Sequence, residues 1–296
     1  MKKEYGHYFL SLLLFGSNGI VTSMIALGSA QIVLLRTLLG TGLLLILFIL
    51  TGRDFSCRRH PGEFIYVAVS GAALGAGWLF LYEAYQQIGV SLASLAYYCG
   101  PVIVMALSPL LFGEKLTRSK VAGFAAVLFG IVLVNGTAFL HNGSFWGLFC
   151  GAMSAILYAV MVIFNKKANH ITGTENSFWQ LLFSFLTAAV FLALRHGLLF
   201  SVALEDWGAI LFLGLVNTGI GCWFYFAAIG RLPVQSVAIC GYLEPLSAVF
   251  LSVLILHETM GFTQALGAAL IVGGAIWSES AGRGRKKRDP RPLPVG

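Results

Sequence analysis

The sequence predicts an all-α integral membrane protein in which ten transmembrane helices form two inverted five-helix repeats. Three observations lead to this prediction: the composition, a series of apolar stretches and an internal repeat. Of the 296 residues, 58% are hydrophobic and only 10% are charged. So few charges cannot cover the apolar side chains of one soluble core, and the composition therefore indicates a protein that lies within the bilayer.

Ten apolar stretches follow one another along the chain, and each holds about 18 to 25 residues, enough to cross the hydrocarbon layer as a helix. In order, they cover residues 7–27, 31–51, 63–86, 91–112, 118–138, 144–165, 175–195, 207–229, 233–256 and 262–279. The connecting loops are too short to fold as separate domains. The tail is basic and rich in proline, which predicts disorder for residues 281–296.

The second half of the chain repeats the first at a constant offset of 144 residues. The equivalent pairs include Arg36 and Gln180, Tyr98 and Tyr242, Pro101 and Pro245, Glu114 and Glu258, Gly123 and Gly267, and Gly130 and Gly274. We therefore divide the chain into a first repeat, residues 1–140, and a second repeat, residues 141–280. Each repeat holds an odd number of spans, so the second copy must cross the membrane in the opposite sense, as in many secondary transporters.

The basic residues indicate the orientation of the chain. If the N-terminus is cytoplasmic, 17 of the 19 Lys and Arg lie on the cytoplasmic side, whereas Arg195 lies outside and Arg36 lies within a helix. This bias follows the positive-inside rule, so we expect both termini in the cytoplasm. The net charge of +7 is then a signal of topology, and it does not indicate nucleic-acid binding.

The start of the chain also has features of a cleavable signal peptide, namely Lys2 and Lys3, an apolar run and small residues at 28–30. Cleavage would leave nine spans and would remove the partner of the sixth span. We therefore favour a first helix that is retained.

Metal binding, cofactor binding and nucleotide hydrolysis are not indicated by the sequence. The five cysteines show no CxxC spacing, and none of the six histidines stands at ligand spacing from another. The GxxxxGK[ST] loop that cradles ATP phosphates is absent from the sequence. We therefore predict neither a metal site nor a cofactor.

Glycines at four-residue spacing, such as Gly71 with Gly75 and Gly147 with Gly151, let membrane helices approach closely. Packing within one chain is the preferred interpretation of these pairs, and a monomer is the expected state. A dimer interface is the alternative.

Three charged residues lie well inside the predicted spans, namely Arg36, Glu83 and Glu244. Charges are costly inside the bilayer, so these residues mark candidate functional sites. Helical rise places Arg36 and Glu83 at similar depths near the outer ends of their helices. We expect them to form an ion pair, which serves either helix packing or an extracellular gate.

Glu244 is the strongest candidate, because it lies near the middle of the ninth span and immediately before Pro245. A proline leaves the carbonyl group four residues earlier without its helical donor, and Pro101 stands at the equivalent place in the first repeat. Paired interruptions of this kind commonly mark the substrate site of a transporter. A low-dielectric site disfavours a charged carboxylate, so we expect Glu244 to gain and lose protons.

Aromatic residues cluster at the same depth and form the predicted substrate cavity. They are Trp78, Tyr82, Tyr97, Tyr98, Trp223, Tyr225 and Tyr242. Together they suit amphipathic or cationic molecules, although any single ring also suits the core or a lipid-facing belt. Asn18 and Gln180 are weaker candidates, since amides in membrane helices often bond a neighbouring helix.

Several motifs together resemble one family. They are "RTLLG" from Arg36, "GYLEP" from Gly241, and "SPLLFGEKLTRSKVAGFAAVLFGIVL", which returns as "SVLILHETMGFTQALGAALIVGGAI". With ten spans in two repeats, residues 7–279 resemble the EamA group of the drug/metabolite transporter superfamily, which includes bacterial exporters of amino acids and related metabolites. The resemblance implies a monomer with a central cavity and proton coupling. Because Gln180 replaces the charge of Arg36, the cavity need not be symmetric.

We therefore expect a secondary transporter that exports small organic metabolites, such as amino acids, across a bacterial cytoplasmic membrane. Its expected partners are the solute, protons and membrane lipids, with Glu244 as the proton-coupling residue and Glu83 as the second candidate. Efflux of drugs or cationic amines is the alternative. An enzyme acting on lipid would need a nucleophile with its base or a metal cluster, and a scaffold would need no carboxylate at the midplane.

Overall fold

A computed structural model describes residues 2–52, 55–135, 144–195, 197, 200–256 and 261–288 of the chain. Within these ranges every regular element is helical, and the helices form ten spans, α1 to α10. The first repeat consists of α1 (Lys2–Gly16 and Asn18–Thr22), α2 (Ser29–Leu50), α3 (Pro61–Gly89), α4 (residues 90–97 and Cys99–Phe112) and α5 (Arg118–Asn135).

The second repeat has the same number of spans. It consists of α6 (Phe145–Lys167), α7 (Gly173–Arg195), α8 (Trp207–Leu211, Phe212–Ile220 and Gly221–Ile229), α9 (Val234–Cys240 and Leu243–Leu256) and α10 (Phe262–Arg288). Five of the described helices are each long and apolar enough to cross a membrane on their own. The predicted all-α architecture of ten membrane helices in two inverted repeats is confirmed.

α10 runs further than the sequence indicates, because it continues to Arg288, inside the tail for which disorder is expected. The three prolines that would break a helix, Pro290, Pro292 and Pro294, all follow that residue. The described part of the tail is therefore a continuation of α10, and the rest of it lies outside the described residues.

α4 and α9 are both interrupted in the middle, at equivalent positions of the two repeats. The interruption lies at Tyr98 in α4 and at Gly241 and Tyr242 in α9. Pro101 and Pro245 each follow as the third residue of the next helical piece. The first turn of a helix has no internal acceptor for its N–H groups, so proline is tolerated there and begins a new half-helix.

Glycine allows the chain to reverse and the helices to pack closely. Gly89 has a φ of 78°, a conformation that side chains disfavour, and it joins α3 directly to α4. A Cβ atom on Gly71 would lie 2.8 Å from the carbonyl oxygen of Gln180, and one on Gly75 would lie 2.6 Å from that of Ser184. These small faces therefore bring α3 against α7 within one chain.

α5 and α10 cross through a reciprocal pair of glycine contacts. A Cβ atom on Gly123 would lie 2.7 Å from the carbonyl oxygen of Gly274, and one on Gly130 would lie 2.6 Å from that of Gly267. Each contact joins a glycine to the equivalent of the other glycine in the opposite repeat. The two repeats therefore contact each other through equivalent surfaces, each of which contributes the same two glycine positions.

The loops after α2, α4, α6 and α8 lie together at one end of the bundle, which we call the basic face. Their described parts cover residues 55–60, 113–117, 168–172 and 230–233. The loop after α1 lies at the opposite face, where the backbone N–H of Ala26 donates a 3.3 Å hydrogen bond to Asp206, just before α8.

Candidate binding site

Arg36 is the most buried charge near the centre of the bundle, with 1% of its surface exposed. Its Nε donates a 2.8 Å hydrogen bond to Thr218 Oγ1, and its Nη1 donates to the hydroxyl of Tyr82. The guanidinium carbon lies 4.4 Å from the centroid of the Trp78 ring. Hydroxyl groups and an aromatic face therefore solvate the charge, while Nη2 has no partner among the described residues.

Thr218 reaches Arg36 because part of α8 is a π-helix, Phe212–Ile220. The wider turn lets the Thr218 hydroxyl donate a 2.7 Å hydrogen bond to the carbonyl oxygen of Leu213, five residues earlier. π-Helical segments inside longer helices are frequent at functional sites. Here the turn aims a hydroxyl at the buried cation.

The structure does not pair Arg36 with Glu83, which corrects the ion pair expected from their matched depth. Glu83 accepts hydrogen bonds from Gln87 Nε2 at 3.1 Å and from Trp146 Nε1 at 3.3 Å, toward the opposite face. Neighbouring residues of a helix point about 100° apart. Because Tyr82 faces Arg36, Glu83 is turned toward the start of α6.

Glu244 lies in the first turn of Leu243–Leu256, the second piece of α9. A carboxylate at this end of a helix is favoured by the dipole of the backbone. It interacts electrostatically with Arg36 and with the hydroxyl groups of Tyr97, Tyr98 and Tyr158. No side chain of the described residues donates a hydrogen bond to it. Glu244 therefore faces the aromatic centre of the bundle.

A small cavity lies near Arg36 and Glu244, neither of which is among its lining residues. Its walls are formed by Ala73, Leu74, Gly77, Trp78, Tyr97, Ser154, Tyr158 and Met161. Trp78 also packs on Arg36, and Tyr97 and Tyr158 also interact with Glu244. Three aromatic rings thus line this space, and the cation and the carboxyl group each interact with rings of its wall.

Three other predicted cavity residues lie next to this space. The Tyr242 hydroxyl donates a 2.7 Å hydrogen bond to the carbonyl oxygen of Tyr98. The Tyr225 and Tyr158 hydroxyl groups lie 3.4 Å apart, and the Tyr97 and Tyr158 rings meet edge to face at 5.4 Å. The structure therefore brings most of the predicted aromatic residues into one cluster.

The remaining predicted residues lie elsewhere. Trp223 donates a 3.0 Å hydrogen bond to Thr174, at the start of α7. Asn18 accepts one of 3.0 Å from Asn217, which holds the interruption of α1 against α8. Gln180 is fully buried, and its Nε2 donates to Asn176. Trp223 and Asn18 therefore bond one helix to another, Gln180 bonds within α7, and none of the three lines the cavity.

A family model matches the two halves of the chain separately. The model describes the EamA-like transporter family and matches residues 5–136 and residues 145–279.

The chain belongs to the EamA-like transporter family.

Individual relatives agree with this assignment. The uncharacterized transporter YxxF of Bacillus subtilis (strain 168) is 23% identical over 278 residues, which are 90% of this chain and 86% of that protein. An uncharacterized transporter of Archaeoglobus fulgidus is 26% identical over 275 residues, 90% of this chain and 97% of the relative. A crystal structure at 22% identity has the same fold, with a TM-score of 0.79 over 94% of this chain and 97% of that one. The protein is therefore a membrane transporter of the drug/metabolite transporter superfamily, and not an enzyme.

In this EamA-like transporter, the buried cation and the two aromatic rings that contact it are contributed by the first repeat alone. Gln180 stands at the position equivalent to Arg36, and Cys222 and Phe226 stand at those equivalent to Trp78 and Tyr82. The second repeat therefore lacks the cation and the two rings that contact it.

Three residues of the candidate site were not predicted from the sequence, namely Thr218, Tyr158 and Ser154. Thr218 is uncharged, and it accepts a hydrogen bond from Arg36 because of a π-helical turn. No sequence pattern predicts such a turn. Tyr158 is an aromatic residue in the middle of α6, which could have marked it as a candidate for the cavity. The equivalent residue of the first repeat is Leu14, so the repeat did not point to it. Ser154 donates to the carbonyl oxygen of Gly151 in its own helix, like many serines in membrane helices.

The basic face of this EamA-like transporter is held by a hydrogen-bond network that we call the basic-face lock. Glu114 accepts hydrogen bonds from the backbone N–H groups of Val234, at 2.8 Å, and Gln235, at 3.1 Å, at the start of α9. The buried Gln235 side chain accepts a 2.5 Å hydrogen bond from Lys120 and donates one of 2.9 Å to Ser108. The loop of one repeat thus caps a helix of the other.

The structure also brings together His60, Glu63 and His170 at the basic face, each with a ligand atom within 4.8 Å of the others. This group is not apparent from the sequence, because His170 lies 107 residues after Glu63. The expectation that the protein has no metal site rested on spacing along the sequence, which does not report such contacts between distant segments.

Proposed function

We propose that this protein exports a small zwitterionic metabolite, such as an amino acid, across the cytoplasmic membrane in exchange for protons. The observation that carries the proposal is that Arg36 and Glu244 each interact with aromatic rings of one cavity wall: Arg36 with Trp78, and Glu244 with Tyr97 and Tyr158. In this proposal the basic face is cytoplasmic, as the positive-inside rule requires. Both termini then lie in the cytoplasm.

Arg36 supports recognition of a carboxylate. Its Nε and Nη1 are hydrogen-bonded, whereas Nη2 has no partner among the described residues. A buried donor without an acceptor costs free energy, and the carboxylate of a solute would satisfy it with a charge-assisted hydrogen bond. A solute that carries a carboxylate is therefore favoured over one that does not.

Glu244 supports recognition of a cation, because it interacts with aromatic rings of the cavity wall. An ammonium group is attracted both by the carboxylate and by the faces of the neighbouring aromatic rings. Tyr97 and Tyr158 belong to the cavity wall and interact with Glu244. A solute with both charges can thus bind in one orientation, with its apolar part against Trp78.

Exchange for protons follows from the position of the same carboxyl group. A carboxyl group removed from water binds a proton more readily than one in solution. A proton and the cationic end of the solute therefore compete for Glu244. If the site opens to each side of the membrane in turn, release of the solute outside is followed by the return of a proton.

Opening toward the cytoplasm must disrupt the basic-face lock. Glu114 lies in the first repeat, and the N–H groups that it binds belong to the second. A rocking movement of one repeat against the other would separate them. The structure therefore corresponds, in this proposal, to a state closed at the cytoplasmic side.

Efflux of cationic amines or drugs is the second candidate function. The aromatic walls around Trp78, Tyr97 and Tyr158 favour this alternative, because aromatic rings accept many amphipathic cations. The two functions differ in their need for Arg36, since an amine without a carboxylate gains nothing from an additional cation.

A thermal-shift screen of the purified protein against amino acids, amines and nucleosides identifies the solute class, because a ligand that binds the folded state stabilises it. Amino acids are expected to raise the melting temperature of the parent protein and not that of Arg36→Gln. Amines that stabilise both proteins equally would instead support the alternative function.

Flux in proteoliposomes tests the coupling. The parent protein is expected to concentrate the solute when a pH gradient is imposed, whereas Glu244→Gln retains solute exchange but loses accumulation. Glu205→Gln, which changes an exposed carboxylate at the opposite face, is the matched control. If Glu244→Gln accumulates solute with the parental pH dependence, coupling lies elsewhere, and Glu83 is the next residue to test.

A further inference from the structure

A cluster of imidazole and carboxylate groups lies at the basic face, away from the central cavity. Glu63 Oε1 lies 2.6 Å from His170 Nδ1, and Glu63 Oε2 accepts a 2.8 Å hydrogen bond from the backbone N–H of His170. The rings of His60 and His170 stack, with centroids 4.1 Å apart and planes inclined by 10°. The three side chains therefore form a compact group at the surface.

The backbone holds both sides of this group in place. His60 immediately precedes α3, and Glu63 lies in the first turn of that helix, where its N–H donates a 3.1 Å hydrogen bond to the carbonyl oxygen of His60. On the other side, Ile171 is fully buried against Val67 of α3 and fixes the loop that carries His170. Both segments that carry the cluster are therefore held in place by backbone hydrogen bonds and by packing of buried side chains.

A second contact fixes the turn that leads into His60. The carboxylate of Glu175 accepts hydrogen bonds from the backbone N–H groups of Ser56, at 3.0 Å, and Cys57, at 2.9 Å. Burial, together with the nearby Glu175 carboxylate, raises the pKa of the Cys57 thiol. Cys57 is not part of the cluster, whose ligand atoms are nitrogen and oxygen.

We propose that His60, Glu63 and His170 bind a divalent transition-metal ion of the Zn²⁺ class. Imidazole nitrogens and carboxylate oxygens bind Zn²⁺ at about 2.0–2.2 Å, which spaces the ligands of a tetrahedral site about 3.3–3.5 Å apart. The three ligand atoms already lie within 4.8 Å of one another, and the stacked His60 and His170 rings complete the site by turning out of their parallel arrangement toward one ion. Because His170 is exposed, water can take the fourth position.

The charge of the cluster also suits a cation. Two neutral imidazoles and one carboxylate carry a net charge of −1, and neutral imidazole is the form that binds metals. The ion would join the start of α3, in the first repeat, to the loop between α6 and α7, in the second. Metal binding would therefore restrain movement between the repeats at the basic face.

Co²⁺ titration of the full chain, purified with a tag that contains no histidine, tests the site. We expect one equivalent of Co²⁺ to produce a visible absorption band that Zn²⁺ abolishes by competition. His60→Ala and His170→Ala are expected to weaken binding at least tenfold, whereas His7→Ala, which removes a histidine packed on Phe224, leaves it unchanged. Equal binding by all four proteins, or no binding by the parent protein at 1 mM Co²⁺ (about −4 kcal/mol), would overturn the proposal.

His170→Gln separates metal binding from a structural role. Glutamine can still donate a hydrogen bond to Glu63, so a purely structural role of His170 predicts parental stability and no loss that depends on metal. The proposal predicts that Zn²⁺ raises the melting temperature of the parent protein and slows amide exchange in residues 168–171, and that neither effect occurs in His170→Gln. A Zn²⁺ effect of parental size in His170→Gln would contradict it.

Discussion

The hydroxyl group of Tyr242 donates a 2.7 Å hydrogen bond to the carbonyl oxygen of Tyr98, the residue that occupies the equivalent position in the first repeat. Their rings meet edge to face, with centroids 6.3 Å apart. Both residues stand where a helix is interrupted, one before Pro101 and one before Pro245. The two interruptions are therefore bonded directly to each other, and displacement of one is transmitted to the other.

Tyr242→Phe should uncouple the two interruptions while preserving the packing of the ring. We expect the loss of one hydrogen bond to lower the free energy of unfolding by about 1 kcal/mol, and to slow solute exchange in proteoliposomes. Tyr66→Phe is the matched control, because Tyr66 is 37% exposed and its ring packs on Phe164. Equal exchange rates in the two variants would show that the bond plays no part in transport.

Arg36→Lys tests whether the planar guanidinium group is required. Lysine keeps the charge but cannot bond Thr218 and Tyr82 while also offering a nitrogen to a solute carboxylate. We expect solute affinity, measured by equilibrium binding, to fall at least tenfold, about 1.4 kcal/mol. Arg195→Lys alters an exposed arginine near the opposite face and should bind solute like the parent. Parental affinity in Arg36→Lys would show that charge alone is sufficient.

Glu114→Gln should weaken the basic-face lock. The amide keeps the shape of the carboxylate but loses the charge that favours the helix start, and we expect the protein to lose roughly 0.5–2 kcal/mol of stability. A cysteine introduced at Ser236, which is 2% exposed, should then react faster with maleimide. Glu205→Gln at the opposite face should leave the rate unchanged; a similar increase in both variants would argue against the lock.

Adjacent glycines of α10 provide a matched test of the helix crossing. Gly274→Ala would place its Cβ atom 2.6 Å from the carbonyl oxygen of Gly123, whereas a Cβ atom on Gly273 meets nothing within 4 Å. Thermal unfolding should show that Gly274→Ala destabilises the protein by roughly 1–3 kcal/mol. Gly273→Ala should be neutral or slightly stabilising, since alanine favours a helix. Equal stabilities of the two variants would exclude a close crossing in the membrane.

Cysteine labelling tests the orientation of the chain. Lys115→Cys lies on the basic face and Met24→Cys on the opposite face, and both positions are exposed. In intact cells a membrane-impermeant maleimide should label Met24→Cys and leave Lys115→Cys unlabelled, after correction for the parent chain. The reverse pattern would invert the proposed topology. Asn142, another suitable position by sequence, lies outside the described residues.

Membrane spans were predictable from the sequence because each depends on local composition. All ten apolar stretches became helices, and the bias of basic residues distinguished the two ends of the bundle. The family also followed from sequence, since "RTLLG" and "GYLEP" hold Arg36 and Glu244 in recognisable contexts. These features do not depend on which side chains meet in space.

Partners of individual side chains were not predictable in the same way. Equal depth in the membrane suggested that Arg36 pairs with Glu83. Depth does not determine which way a side chain points around the helix axis, and Tyr82 is the residue of α3 that faces Arg36. The role of Thr218 depends on a π-helical turn, and the meeting of Glu63 with His170 depends on how two distant loops pack. Such contacts are set by rotation and tertiary packing, for which a single sequence gives no measure.

The paired crossing of α5 and α10 bears on how the chain arose. Gly123 contacts Gly274 while Gly130 contacts Gly267, so position i meets j and j meets i, the rule of an isologous, self-complementary interface. In two separate copies of one unit, a single substitution would alter both contacts at once. In one polypeptide the four glycines are encoded separately, so a substitution can alter one contact without the other. Position 36 is arginine and its equivalent, position 180, is glutamine, so the two repeats carry different side chains at this pair of buried positions.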